Sequence, residues 1–311
     1  MQQTDWMAES PMRLDAFLAQ HPAMKSRMQA QKLIEDGNVS IEGKTIKKPA
    51  YTLEIGDVVS VTFPESLSSD DRIEAVNLHL PVLFEDASCM VVDKPAGISV
   101  HPAPGMKDTT ILHGAAFLFK ERKLPFSPSE VLVHRLDKET TGCLLLAKTP
   151  KAHLALQKQF QDRTVEKTYL ALVYGVPVHP KAVIEASIGR DPSHRTRMSV
   201  HRTKSSRDAR TGYTVLSSTR ECSLLACDLF TGRTHQIRVH LKSIGHPVLG
   251  DSTYYSPASE KCSAKNGIDD LCLHAWKLSF VSPASKKKIA LEATPAPLFQ
   301  ATLEKLGLQK T

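Results

Sequence analysis

The stretch Val133–Thr149, VHRLDKETTGCLLLAKT, sets a single carboxylate, Asp137, between Arg135 and Lys138, then passes through Thr140, Thr141 and Gly142 into an apolar run. That run shows no alternation of polar and apolar residues and is bounded by turn formers, the pattern of a strand buried on both faces. Thr149 is placed to cap a helix with Pro150 at its first position, where a missing N–H costs nothing. Ala152, Leu156 and Phe160 then recur four apart on one helical face. EKTYLALVYG, residues 166–175, returns to a period of two, with Lys167, Tyr169, Ala171 and Val173 on one side and Leu170 and Leu172 on the other. Strand, helix and strand with an acid at the head predict an α+β domain.

Two readings of Asp137 compete at this point. Asp, Thr and Gly cluster at turns because short polar side chains bond nearby backbone and Gly tolerates positive φ. Alternatively, Arg135 or another cation holds Asp137 ionised in a cleft, ready to act as a nucleophile or base.

With 311 residues the chain is long enough for one large domain and a smaller one. Lys and Arg number 40 against 33 Asp and Glu, a formal charge of +7 that suits a polyanionic partner. The longest apolar run is far too short to span a bilayer, and the opening MQQTDWMAES lacks a signal-peptide core, so a cytoplasmic protein with no membrane partner is expected. Six cysteines without a CxxC pair fit neither a disulfide framework nor a zinc site, and packing thiols are expected.

Ahead of the large domain, residues 12–63 form a candidate small α/β unit. Leu14, Phe17 and Leu18 have helical spacing, a second helical stretch runs from Ser26 to Gly37, and Val39, Ile41 and VVSVTF (58–63) read as strands. Arg13, Lys25, Arg27 and Lys32 against Asp15 give this unit one positive face. Residues 1–11 read as a tail, the polar, acid-leaning 64–80 as a linker, and 81–311 as the large domain.

Two further stretches carry charge. Arg190–Arg210 holds seven Lys or Arg, among them Arg195 and Arg197, against two Asp, a local +5 that suggests a phosphate-facing surface. In TGRTHQIRVHLKSIGHPVLGD, 231–251, Thr234 is expected to cap a helix ending at Gly245, with Ile237, Leu241 and Ile244 as its buried stripe. His235, Arg238 and Lys242 would share another face, suited to an anion or to an internal carboxylate.

HRLDKETTG (134–142), together with DKPAGISVHPAPG (93–105), GRTHQIRVHLKSIGHPVLGD (232–251) and LHAWKLSF (273–280), resembles the RluA-type family of RNA pseudouridine synthases, especially its D-type branch for the large ribosomal subunit. RLDAFL (13–18), SRMQAQKLIEDGNVSIEG (26–43) and GDVV (56–59) resemble an S4 RNA-binding domain. The matching motifs extend over about residues 12 to 295, in order. Where the commonest first motif ends in TSG, this chain has Thr140-Thr141-Gly142, a form also found in the D-type branch.

The resemblance implies a mixed, mainly antiparallel sheet flanked by helices around a central cleft, preceded by the S4-like unit. It implies that Asp137 is the catalytic carboxylate, that Arg238 pairs with it, that Tyr169 lies against the target base, and that Arg135 holds the target nucleotide out of its stack. The RNA-facing set would also include Arg13, Lys25, Arg27, Lys32, Arg195, Arg197, Arg233 and His235. The implied reaction breaks the N1 glycosidic bond of a uridine in RNA, turns the uracil and joins C5 to C1′. It involves no redox change or net hydrolysis, so no metal or cofactor is expected. Ribosomal RNA, free or in a pre-ribosomal particle, is the expected partner of a monomeric enzyme. Modification of tRNA, a non-catalytic assembly role, and hydrolysis with His134 or His235 assisting Asp137 are the alternatives.

Overall fold

The computed structural model describes residues 2–21, 24, 27–63, 73–102, 108–194, 197–200, 203 and 206–309. Contacts divide the chain into two units, residues 1–72 and 73–311. In the first, β1 (Gln2–Met7), β2 (Met12–Arg13), α1 (Leu14–Leu18), α2 (Arg27–Glu35), β3 (Val39–Ile41), β4 (Lys44–Thr45), β5 (Thr52–Leu53) and β6 (Val58–Phe63) follow in order. Val59 and Val61 point inward from β6 and meet Leu14, Leu18, Leu33 and Ile34 from the two helices, the half-buried alternation that the sequence announces.

Residues 1–11, expected to be a tail, differ. Gln2–Met7 pairs along its whole length with β6, in a sheet ordered β1-β6-β3-β4. Trp6 stacks on His21 with ring centroids 4.0 Å apart, and Ala8 is buried. One aromatic among polar residues was too little periodicity to announce this strand. Of the expected linker, 64–72 lies outside the described residues. Leu78 and Leu80 pack into the core of the second unit, so 73–80 belongs to that unit's packing.

The second unit contains β7 (Val82–Glu85), β8 (Cys89–Lys94), α3 (Ile111–Glu121), β9 (Thr141–Ala147), α4 (Pro150–Gln161), β10 (Glu166–Tyr174), β11 (Lys181–Glu185), β12 (Gly189–Arg190), β13 (Met198–Ser199), β14 (Arg210–Ser218), β15 (Cys222–Leu229), α5 (Gln236–Ser243), α6 (Pro257–Asn266), β16 (Leu273–Val281), β17 (Lys288–Glu292) and α7 (Pro297–Lys305). Its main sheet runs β11-β14-β15-β10-β16-β9-β8-β7, with β17 on β16. Every pairing is antiparallel except the short parallel contact of β9 with β16. This is the mixed, mainly antiparallel α+β sheet that the resemblance implies.

All seven residues of β9 are buried, which explains its unbroken apolar run. Leu144 and Leu146 share a core with Ile111, Leu112 and Phe119 of α3, while Cys143, Leu145 and Ala147 meet Ala152 and Leu156 of α4. Thr149 accepts the Ala152 N–H at 3.1 Å as the expected cap, with Pro150 in the first turn. Gly142 sits at φ +105, and the Ala275 carbonyl occupies the place a Cβ would take. Only glycine lets β9 approach β16 so closely, which pins the turn carrying Asp137. All six cysteines are free and buried, as expected of packing thiols. Among the described residues, no helix is long and apolar enough to cross a membrane.

Candidate active site

The turn before β9 is clasped from behind by a buried ammonium. Lys94 closes β8 with no exposed surface, and its Nζ donates to the carbonyls of Pro95, Lys138 and Thr140 at 2.8, 2.8 and 2.9 Å. Thr140 N–H returns to the Asp137 carbonyl at 3.1 Å, completing the turn. Burial pushes Lys94 down to about 8, against the opposing charges of Glu139 and Asp137. Both readings of Asp137 therefore hold in part: it stands in a tight turn, and that turn is built into a cleft.

The cleft has a volume of about 450 Å³ and is walled by the Asp137 turn, β10, the end of β15 and the head of α5. Arg238 forms its charged floor. Its Nη1 donates to Asp137 Oδ2 at 3.3 Å, while Nε and Nη2 donate to Asp251 Oδ2 and Oδ1 at 2.7 and 2.8 Å. Burial alone would push the Asp251 carboxyl up. The Arg238 hydrogen bonds and charge, with the N–H groups of Tyr254 and Thr253, outweigh this and hold it below the usual carboxylate range.

Tyr169 lines the cleft from β10, almost wholly buried. Burial first, then the Asp137 charge, pushes its hydroxyl well above the ordinary value, so it stays protonated at neutral pH. Lys167, two residues earlier on the same face of the strand, also lines the cleft with its ammonium 5.4 Å from the Phe160 ring.

The head of α5 departs from expectation. Its cap is His235, held in the left-handed region at φ 56, and Thr234 does not cap it. Gln236 holds this corner: its Oε1 accepts from Thr231 Oγ1 and Arg233 N–H at 2.7 and 3.0 Å, and its amide donates to the Arg210 carbonyl at 3.0 Å. Ile237 and Leu241 are buried as foreseen, but Ile244 is exposed. His235, Arg238 and Lys242 do not share one open face, because Arg238 is buried in the cleft floor and Lys242 faces outward. The internal-carboxylate alternative is the one realised.

The two histidines weighed as partners of Asp137 are otherwise engaged. His134 Nε2 accepts the Leu145 N–H at 2.9 Å, and its ring stacks on Phe160. Burial, aided by the Lys167 charge, pushes it down to about 3. His235 Nδ1 lies 2.8 Å from the Tyr254 hydroxyl, which itself accepts from Met198 N–H at 2.8 Å, so the hydroxyl proton points to the imidazole. Burial is the main influence lowering the His235 pKa.

Of the expected RNA-facing residues, Arg135, Arg233 and His235 line the cleft, as does Arg163, which the sequence did not single out. Arg197 directly precedes β13 and is not among the residues that line the cleft. Lys25 and Arg195 lie outside the described residues. Arg13 and Arg27 belong to the first unit and both clamp the buried carboxylate of Asp15, at 3.0 Å each, with Gln31 at 2.9 Å. Lys32 is exposed on α2. Asp251 and Tyr254 were also missed; Asp251 closes the quoted GHPVLGD, yet spacing along the chain gives no sign of its pairing with Arg238.

A mixed sheet whose central turn offers one carboxylate to a buried arginine, under a cationic rim, has the form of a nucleotide-modifying site. The chain belongs to the RNA pseudouridylate synthase family, which matches residues 88–243, and residues 12–59 match the S4 domain. It is an isomerase of that family, acting on RNA. It is 41% identical over 296 residues to ribosomal large subunit pseudouridine synthase D of Nitrosomonas europaea, covering 94% of this chain and 83% of that protein. A protein of the same description from Zymomonas mobilis is 34% identical over 288 residues, covering 90% and 89%. Among solved structures, human RNA pseudouridylate synthase domain containing 4 superposes with a TM-score of 0.60 at 27% identity, covering 74% of this chain and 94% of that one.

Proposed function

We propose that this chain converts uridine to pseudouridine in large-subunit ribosomal RNA, with Asp137 as the reacting carboxylate. The observation that carries the assignment is the Arg238–Asp137 contact at 3.3 Å inside a cleft that also holds Tyr169. Asp137 meets the sugar either by attacking C1′ or by taking the C2′ proton, with the Arg238 guanidinium beside it. After the uracil turns and C5 joins C1′, the C5 proton leaves and N1 gains one, so the product is an isomer. Tyr169 lies against the detached base and, being protonated, hydrogen-bonds or relays a proton rather than acting as a preformed tyrosinate. Extruding the uridine costs a few kcal/mol. Arg135 occupies its place in the stack, and phosphate contacts from Arg163, Lys167, Arg233 and His235 offset the cost.

The ribosomal target is supported by the descriptions of the Nitrosomonas and Zymomonas relatives and by the S4 match. In this reading residues 12–63 grip structured RNA, 81–311 carry the chemistry, and a cytoplasmic monomer meets its substrate as RNA or as a pre-ribosomal particle. The test is release of tritium from C5-labelled uridine in unmodified ribosomal RNA, pre-ribosomal particles and bulk tRNA, with wild type beside Asp137→Asn. Release from ribosomal substrates by wild type alone is expected. Release by Asp137→Asn would overturn the catalytic assignment, and release only from tRNA would overturn the target.

A further inference from the structure

Three nitrogens of Arg238 donate to carboxylates at the cleft floor, and two are taken by a residue that does not line the cleft. The contacts to Asp251 are 2.7 and 2.8 Å, whereas the single contact to Asp137 is 3.3 Å and involves Oδ2 alone. The Asp251 side chain has no exposed surface, against 20% for Asp137. A two-point pairing of this kind fixes the plane of a guanidinium as well as its distance.

Asp251 is in turn held by its own loop. Its Oδ1 accepts the N–H groups of Thr253 and Tyr254 at 2.8 and 2.9 Å, and the Tyr254 ring lies 5.0 Å from the guanidinium carbon. Gly250, at φ +74, has the Asp270 carbonyl where a Cβ would sit, so the loop is pressed against its neighbour.

We infer that Asp251 is a positioning residue for the isomerisation: it takes two nitrogens of Arg238 so that Nη1 alone reaches Asp137, leaving that carboxylate engaged at one oxygen. The inference rests on the assignment of Asp137 as the reacting group. On either route Asp137 loses negative charge as the transition state forms, by bonding to carbon or by taking a proton. A full two-point clasp by Arg238 would stabilise the starting carboxylate more than the transition state and slow the reaction. Asp251 opposes that clasp by taking the Nε–Nη2 edge and fixing the plane of the guanidinium, an orientation in which Nη1 alone reaches Asp137.

Charged and titratable groups facing this cluster are Asp137, Arg238, Asp251, His235, Tyr254, Tyr169, Arg135 and Lys94. Replacing Asp251 by Asn removes one negative charge from the set and frees Arg238 to turn toward Asp137. The full chain is assayed by single-turnover tritium release across the acid and neutral range, with RNA affinity and melting temperature measured alongside. For Asp251→Asn the rate constant should fall about 10²-fold with RNA affinity unchanged. The acid limb of its profile should move about one unit to lower pH. Asp251→Glu, which returns the charge on a longer arm, should restore the limb to its wild-type position.

A wild-type rate and limb in Asp251→Asn overturns the inference. So does a drop in melting temperature, in both the Asn and Glu variants, with the acid limb unmoved, the mark of a structural role alone. Asp137→Asn, run in the same series, separates the two levels. Activity there overturns the assignment beneath the inference, whereas a dead Asp137→Asn beside a wild-type Asp251→Asn overturns the inference only.

Discussion

Replacing Arg238 by Met removes the one guanidinium that, among the described residues, hydrogen-bonds the Asp251 carboxylate, and leaves a side chain of similar length. Side-chain exposure at this pair is 9% for Arg238 and 0% for Asp251. Breaking a buried pair by removing one partner costs about 3–5 kcal/mol, because the remaining charge stays out of water. Asp251 keeps the N–H groups of Thr253 and Tyr254, which places the variant at the low end, about 3 kcal/mol. For a unit of this size, where 1 kcal/mol moves Tm by about 2–4 °C, the loss is about 6–12 °C. The pH dependence carries the sharper signature. In wild type the Asp251 carboxyl is held below the usual range, so its contribution is present above the unfolded value of about 3.9 and is lost only as pH falls through the lower folded value. In the variant burial is opposed only by the N–H groups of Thr253 and Tyr254, and it raises the folded value above the unfolded one. Its penalty is then complete at high pH and relieved as the carboxyl takes a proton. Melts of both proteins by circular dichroism should show a Tm gap that is widest near pH 8 and narrows toward pH 5. A gap that stays constant or widens in acid would refute the view that Arg238 holds a buried anion.

Lys94→Met should lower stability by about 3 kcal/mol or more, since three carbonyls lose a buried charged donor. Because two of them, those of Lys138 and Thr140, belong to the turn that follows Asp137, tritium release should fall further than the loss of folded protein explains; a proportional fall would mean the clasp does not position the turn. Tyr169→Phe keeps the ring and removes the hydroxyl, so RNA binding in a gel shift should be unchanged while the rate drops about 10²-fold. An unchanged rate would leave Tyr169 a stacking surface only. Arg233→Ala should weaken RNA binding and reduce the slope of log affinity against log salt by about 0.7–0.9, the value of one phosphate contact. An unchanged slope would place Arg233 off the phosphate path.

The parts of this protein that were legible in its sequence are those whose cause is local. The strand after Gly142 could be read because a segment buried on both faces must be apolar throughout, and the α4 cap because Thr149 and Pro150 act on the turn they begin. The resemblance added Asp137, Arg238 and Tyr169 as a set, which the fold brings to one cleft. What escaped depends on long-range geometry. Thr234 has the chemistry of a cap, but the corner at α5 is held by Gln236 reaching back to Arg210, so the helix starts one residue later on a left-handed histidine. Gln2–Met7 forms a strand because β6 offers it an open edge, and its own residues carry almost no period. Asp251 is thirteen residues from Arg238, at a spacing that belongs to no helix or strand repeat.

The same distinction separates cations that hold the fold from cations available to RNA. In the sequence, Arg13 and Arg27 count toward a positive face, yet Asp15 between them has no exposed side-chain surface and is held well below the usual carboxylate range, first by its Arg13 hydrogen bonds. Each guanidinium is about half exposed, so the trio presents one net positive charge rather than two. Arg238 is likewise spent on two carboxylates. By contrast Arg135, Arg163, Lys167 and Arg233 line the cleft without a carboxylate partner among the described residues, and the Arg233 Nε bond goes to a neutral carbonyl, that of Asp208. A formal +7 therefore says little about grip on RNA until each cation is assigned. The charge that matters for extruding a nucleotide is the part left unneutralised around the opening, and under the proposed function it lines the same cleft as Asp137, the carboxylate assigned to meet the sugar.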